Sequence, residues 1–187
     1  MELVKKKING VFEIVPESHE DFRGFLVRIW DNKIFKEFGL KADWVQESHS
    51  YTKKKNTIRG FHIQFPPHSE SKLIRAIRGE VMWVVVDLRK NSKTFGRWES
   101  ITLTDKKRNI LYVEKGFANG SITLTDDVDL IIKSDNYFKQ ENGCGLKWND
   151  EDLNIKWNVS GKPIIQERDD NYPSFKEFKK KYGGINL

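Results

Sequence analysis

The chain holds a single cysteine, Cys144, so it can form no internal disulfide, and a reducing cytoplasm is the expected location. Its longest unbroken apolar run, Val81-Met82-Trp83-Val84-Val85-Val86, is far short of the ~20 residues a membrane-crossing helix needs, so no membrane partner is expected. The lysines near the start are followed by no apolar stretch, and no secretory signal is expected. Histidines are few: His19, His49, His62 and His68. A His-x-His pair is absent and no histidine follows His68, so neither a metal nor any other cofactor is expected. There is no Walker loop, no dinucleotide fingerprint and no Gly-x-Ser-x-Gly elbow. Low-complexity linkers and internal repeats are also missing, which leads us to expect one domain over residues 1–187.

What the chain does have is apolar bulk. Aromatic residues make up 12%, with twelve Phe and six Trp, enough to build a core and exclude wholesale disorder. The net charge of +6 and pI near 9.2 favour an anionic partner. The lysines are scattered in short clusters such as Lys5–Lys7 and Lys179–Lys181, with no long basic arm, so a phosphorylated small molecule is favoured over nucleic acid.

Short β-rich runs dominate: Val11–Val15, Phe25–Ile29, Trp44–Gln46, Ile58–Gln64, Lys72–Ile77, Val81–Leu88, Ile101–Leu103, Ile110–Val113, Ile122–Leu124 and Val128–Ile132. Turn chemistry separates them at Asn91-Ser92, Asp105-Lys106, Asn119-Gly120 and Asp126-Asp127. Many short strands at about ten-residue spacing predict an all-β sandwich or barrel. Two helices are expected. One spans Asp31 to Phe38, with Ile34, Phe35 and Phe38 on one face and Gly39 behind it. The other opens at Pro173-Ser174, where Ser174 and Glu177 form a capping box, and closes at Gly183-Gly184.

The stretch from Ile58 to His68, Ile-Arg-Gly-Phe-His-Ile-Gln-Phe-Pro-Pro-His, sets Arg59, His62 and Gln64 into an otherwise apolar strand. Polar groups on an inward strand face need partners or a ligand. In an unbroken strand Arg59 and His62 face opposite sides; Gly60 between them offers a bulge that turns both inward. Cys144, in Gly143-Cys144-Gly145, reads as a small residue in a tight loop.

These residues, together with Asp21-Phe22-Arg23-Gly24-Phe25, Val45-Gln46-Glu47-Ser48-His49-Ser50, Lys72-Leu73-Ile74-Arg75, Gly116-Phe117-Ala118-Asn119-Gly120 and Glu167-Arg168-Asp169, resemble the dTDP-4-dehydrorhamnose 3,5-epimerase family, in order over nearly the whole chain. The resemblance implies a cupin-type jelly roll without metal, a homodimer, and a nucleotide-linked 4-keto-6-deoxy sugar as substrate. In such a sugar the C4 ketone acidifies the hydrogens on C3 and C5, so inversion asks for a base, an enolate stabiliser and an acid across the ring. His62 matches the family's base, Asp169 the carboxylate that orients it, and Lys72 the lysine beside the enolate oxygen. Arg59 matches the arginine on the diphosphate, and Arg23 a residue reaching into the neighbouring subunit's site. Gln46 and Ser48 fall at polar nucleotide contacts, and Phe138 at the aromatic residue that stacks on the base.

Four positions depart from the pattern. Asn119 replaces a histidine near the enolate, and Trp83 an aspartate. Arg28 stands where the family has glutamate and could suit guanine. Ile132 stands where the family places the tyrosine that acts as acid. An isoleucine gives no proton, so we expect inversion at C3 alone, with water or a nearby hydroxyl such as Tyr137 as donor. The nucleotide, GDP or dTDP, and the sugar, hexose or heptose, stay open at this level. So do a non-catalytic nucleotide-sugar-binding role and a 3,4-ketoisomerase.

Overall fold

The computed structural model describes residues 1–40 and 43–187. Two sheets face each other. The first is six-stranded and built from β1 (Glu2–Lys5), β2 (Val11–Val15), β5 (Gln46–Thr52), β7 (Lys72–Arg78), β10 (Ile110–Val113) and β12 (Val128–Ser134), in the order β1-β2-β10-β7-β12-β5. The second runs β13-β6-β11-β8-β9, from β6 (Thr57–Gln64), β8 (Glu80–Asp87), β9 (Trp98–Thr104), β11 (Phe117–Thr123) and β13 (Gly143–Gly145). A two-residue strand, β14 (Ile164–Ile165), adds parallel to β6. A separate hairpin of β3 (Ser18–Asp21) and β4 (Gly24–Val27) stands apart from both sheets. Neighbouring strands within the two sheets pair antiparallel apart from β14, and the architecture is the cupin-type jelly roll.

Three apolar clusters account for the layering. Between the sheets, Ile74, Ala76, Leu111, Val113 and Leu130 of the first meet Val81, Trp83, Val85, Leu103 and Phe117 of the second. Outside the second sheet, Met82, Val84 and Val86 pack under Leu146, Leu153, Trp157 and Phe178 of the C-terminal segment. The unbroken apolar run of β8 follows from this, because its alternate residues are buried on both faces. Outside the first sheet, Ile14, Leu73, Ile110 and Tyr112 are covered by Phe35 and Leu40.

Helix α1 (Asn32–Glu37) is capped by Asp31, whose carboxylate accepts from the Lys33 and Ile34 amides. Two further helices lie near the end: α2 (Glu167–Asp170) and α3 (Phe175–Tyr182). At α3 the capping box between Ser174 and Glu177 forms, and Gly183 ends the helix in the left-handed region at φ +65°.

Four differences from the sequence expectation stand out. Asn119-Gly120, expected as a turn, lies inside β11, where Asn119 pairs with Val85 of β8 and His62 of β6. The strand expected at Trp44–Gln46 runs instead from Gln46 to Thr52, because this sheet-edge segment is polar and carries little apolar alternation. β1, β3, β13, β14 and α2 were not foreseen: β3 is mostly exposed, and the others are only two to four residues long. Cys144 belongs to β13, paired with Ile63 of β6, and is not in a loop. No helix among the described residues is long and apolar enough to cross a membrane.

Candidate active site

The site opens between the two sheets. On β6, His62 lies opposite Asn119 of β11 while Arg59 lies opposite Ser121. Three steps on one strand therefore match two on the other, so the bulge anticipated at Gly60 is present and puts both side chains on one face. Gly60 has φ +99°, and a Cβ there would meet the Asn119 carbonyl oxygen at 2.5 Å and Gly120 Cα at 3.0 Å. Only glycine fits.

The resulting cavity, about 240 Å³, has two distinct walls. The second sheet supplies Arg59, His62, Trp83, Asn119, Gly120 and Ser121; the first supplies Ser50, Lys72, Leu130 and Ile132. A second cavity of about 390 Å³ shares His62 and Lys72 and continues past Gln64, Glu70, Phe138, Gln140, Cys144, Arg168 and Tyr172.

Asp169 arrives on α2, 107 residues from His62 in sequence. Its carboxylate oxygens lie 3.1 and 3.2 Å from His62 Nε2, accept the Gly60 amide at 2.9 Å, and accept Arg168 at 3.3 Å. Asp169 is only 3% exposed. Burial pushes its carboxyl up, but the bonds from His62 and Gly60, the charge on His62 and the Arg168 bond outweigh this and hold it below the usual carboxylate range. An ionised carboxylate only accepts, so Nε2–H is the donor and Nδ1 keeps the lone pair in the neutral ring. Tyr172 stands edge-on to the imidazole at 6.1 Å, and burial raises its hydroxyl pKa.

On the facing wall, Lys72 Nζ donates to Glu70 at 2.6 Å, and both side chains are largely buried. Asn119 Oδ1 accepts the Trp83 indole N–H at 3.1 Å, and its Nδ2 donates to the Phe117 carbonyl at 3.1 Å. Arg59 is steadied by Thr52 Oγ1 and the Tyr51 carbonyl. Gln46 accepts the Phe138 backbone amide at 2.7 Å, which ties β5 to the second cavity. Ser48 is exposed and faces Ile132 across the β5–β12 pair.

The fold thus gathers His62, Asp169, Lys72, Arg59, Asn119 and Phe138 around two joined cavities. It does not bring Arg23 or Arg28 there within one chain. Arg23 pairs with Asp21 at 2.6 Å on the outlying hairpin, and Arg28 lies 3.7 Å from Asp31 beside a separate hollow lined by Glu17, His19 and Trp30. Tyr137, named as a substitute donor, is a correction: it is 58% exposed and lines neither cavity, because the chain turns outward after β12. Sequence reasoning missed Glu70, Ser50 and Tyr172 as site residues. Ser50 lies two residues from Ser48 on β5, the spacing that keeps side chains on one strand face, and Glu70 lies just before β7, where it bonds Lys72. Nothing local marks Tyr172.

Known proteins resemble this chain in sequence and fold. Residues 5–177 match the family described as dTDP-4-dehydrorhamnose 3,5-epimerase. The chain is 35% identical to the Shigella flexneri protein of that name over 176 residues, covering 94% of this chain and 96% of the relative. A crystal structure of dTDP-4-dehydrorhamnose 3,5-epimerase from Elizabethkingia anophelis superposes with a TM-score of 0.90 at 35% identity, over 95% of this chain and 97% of that one. A 3'-monoepimerase from Streptomyces bikiniensis, in complex with dTDP-quinovose, superposes at 0.89 with 25% identity, over 98% and 92%. The jelly roll and the match along almost the full length agree, and the chain belongs to the dTDP-4-dehydrorhamnose 3,5-epimerase family of isomerases.

Proposed function

We propose that the chain inverts C3 of a dTDP-linked 4-keto-6-deoxy sugar. The observation that carries this is the His62–Asp169 pair: a histidine tied through Nε2 to a buried carboxylate, on the wall of a cavity whose other wall holds Lys72. The sugar occupies the cavity between the sheets, and the nucleotide extends along the second cavity towards Phe138 and Arg168. Arg59 holds the diphosphate, since its planar fork suits phosphate oxygens.

In the reaction, His62 Nδ1 takes the proton from C3. The C3–H electron pair moves into the C3–C4 bond, and the C4 oxygen becomes an enolate oxygen beside Lys72. Asp169 balances the imidazolium that forms. A proton then returns to C3 from the Lys72 wall, the enolate collapses to the ketone, and His62 releases its proton to solvent. Ile132 offers no proton on that wall. The cavity hydroxyl there belongs to Ser50, which can hold a water as donor. One such donor serves C3 and leaves C5 without a partner, which favours single inversion. The dTDP nucleotide follows the relatives, and Arg28, engaged by Asp31, lends no support to guanine.

The β3–β4 hairpin bears Phe22 and Leu26 in solvent, with Phe22 98% exposed, while Phe25 is half-exposed beneath the Arg108 guanidinium. Such apolar side chains on a projecting arm fit a second copy of this chain, whose site would receive Arg23 in a homodimer.

The test is incubation with a dTDP-linked 4-keto-6-deoxyhexose in heavy water, followed by proton spectra. Deuterium at C3 with inversion supports the reading; no exchange at any carbon refutes it. For the dimer, mixing His62→Asn with Arg23→Ala chains should restore turnover through hybrid sites, and two inactive proteins that stay inactive together would refute shared sites.

A further inference from the structure

Within the cavity, Asn119 is held by two groups whose hydrogen-bonding character is fixed. The Trp83 indole N–H can only donate, and it points at Asn119 Oδ1 from 3.1 Å. The Phe117 carbonyl can only accept, and it takes a proton from Asn119 Nδ2, also at 3.1 Å. Turning the amide over would set N–H against N–H at Trp83 and oxygen against oxygen at Phe117. Asn119 is buried at 6% exposure and Trp83 at 6%, so water offers little relief for the wrong arrangement. The amide therefore has one orientation. In it, Oδ1 is spent on Trp83, one of the two Nδ2 protons is spent on Phe117, and the second has no acceptor among the described residues. Asn119 lines the same wall as His62, directly across the strand pair from it.

We propose that Trp83 is a positioning residue: its indole N–H locks the Asn119 amide so that the remaining Nδ2 proton is presented to the cavity as a donor for the oxygen that gains charge when His62 removes the neighbouring proton. This deepens the epimerase reading and rests on it. A neutral amide can hold that oxygen as a hydrogen-bond donor only in the locked orientation, since the flipped amide would present a carbonyl oxygen and repel it. Lys72 supplies the positive charge from the opposite wall, and the Trp83–Asn119 pair supplies a directed neutral donor from the wall of the base.

The experiment compares wild type, Trp83→Phe, Asn119→Ala, Asn119→Asp and the Trp83→Phe/Asn119→Ala double variant. Each is assayed for deuterium wash-in and inversion with a dTDP-linked 4-keto-6-deoxyhexose. Asn119→Ala and Asn119→Asp should each lower kcat by roughly 10²-fold, since removal of a donor to a developing oxyanion costs about that much. Trp83→Phe should lower kcat roughly ten-fold with KM little changed, the loss of one orienting bond. The double variant should be no slower than Asn119→Ala, because Trp83 acts only through the amide. If Trp83→Phe slows the Asn119→Ala background as much as it slows wild type, or if Asn119→Asp keeps the wild-type kcat, the proposal is overturned. A second readout needs no substrate. The Trp83 indole proton resonance, assigned by its loss in Trp83→Phe, should move upfield and exchange faster with solvent in Asn119→Ala; an unchanged resonance overturns the lock. Wild type that washes in no deuterium would instead sink the epimerase reading, with the indole resonance still deciding whether the lock exists.

Discussion

Replacing Asp169 by Asn removes the charge behind the base while keeping its shape. In the native site the carboxylate sits 3.1 Å from His62 Nε2 and is itself buried. Proton abstraction turns the imidazole into an imidazolium facing that carboxylate. With charge centres about 4 Å apart and an effective dielectric of about 20, their attraction is about 4 kcal/mol; with the dielectric doubled, as suits a ring that solvent reaches, it is about 2 kcal/mol. The His62 side chain is 46% exposed, so the true figure lies between the two. At about 1.4 kcal/mol per decade, this corresponds to a loss of roughly 30-fold to 10³-fold. A second effect acts in the same direction. The Asn amide can donate to Nε2, which moves the ring proton to Nδ1 and removes the basic lone pair. The assay is the rate of deuterium wash-in at C3 at fixed pH, with circular dichroism to confirm that the fold persists. The Asn side-chain oxygen still accepts the Gly60 amide, so the fold is expected to hold. A well-folded Asp169→Asn protein that exchanges at the wild-type rate would refute the role of the pair.

Ile132→Tyr should create proton exchange with inversion at C5, raising it by roughly 10²-fold or more; continued silence at C5 in the folded variant would show that the missing acid does not limit that carbon. Gly60→Ala forces a Cβ to within 2.5 Å of the Asn119 carbonyl at a positive φ, and should cost more than about 2 kcal/mol and abolish exchange; a thermal midpoint equal to wild type would contradict the bulge. Asp169 and Asp87 both titrate below their ordinary range. At Asp87 burial raises the carboxyl, but bonds from Arg89, Ser92 and Thr94 more than reverse this. Their folded pKa values lie below the unfolded value of about 3.9, so their stabilisation is complete above it and is lost as pH falls through the folded values. The urea midpoint should therefore fall steeply below about pH 4, and a midpoint flat from pH 7 to pH 3 would disprove the linkage.

How far the sequence carried this picture depended on burial. β8 was legible because both its faces are buried, which makes an unbroken apolar run. α3 was legible because its cap is written in Ser174 and Glu177. β5 was misplaced because its residues are largely exposed and polar, and β3 was missed because its four residues, Ser-His-Glu-Asp, are all polar. At the site, Gly60 between two polar residues was enough to suggest the bulge. The His62–Asp169 pair was not readable from local pattern, since α2 is too short to show periodicity and is brought to β6 by tertiary packing. There the family resemblance supplied the expectation and the structure supplied the distance. The Trp83–Asn119 bond was legible neither in the local pattern nor in the resemblance: adjacency across β8 and β11 shows only in the sheet register.

The two walls of the cavity belong to different sheets. His62 is built on one, with Asp169 brought to it by α2; the place where an acid would stand is built on the other. Position 132 can therefore change its side chain without disturbing the hydrogen bonds that hold His62. On the proposed mechanism, stereochemical outcome becomes a trait that varies independently of the capacity to make the enolate. A lineage of such proteins can diversify the sugars it produces by drifting along one strand, and at no step on that path must it rebuild the machinery that breaks the C–H bond.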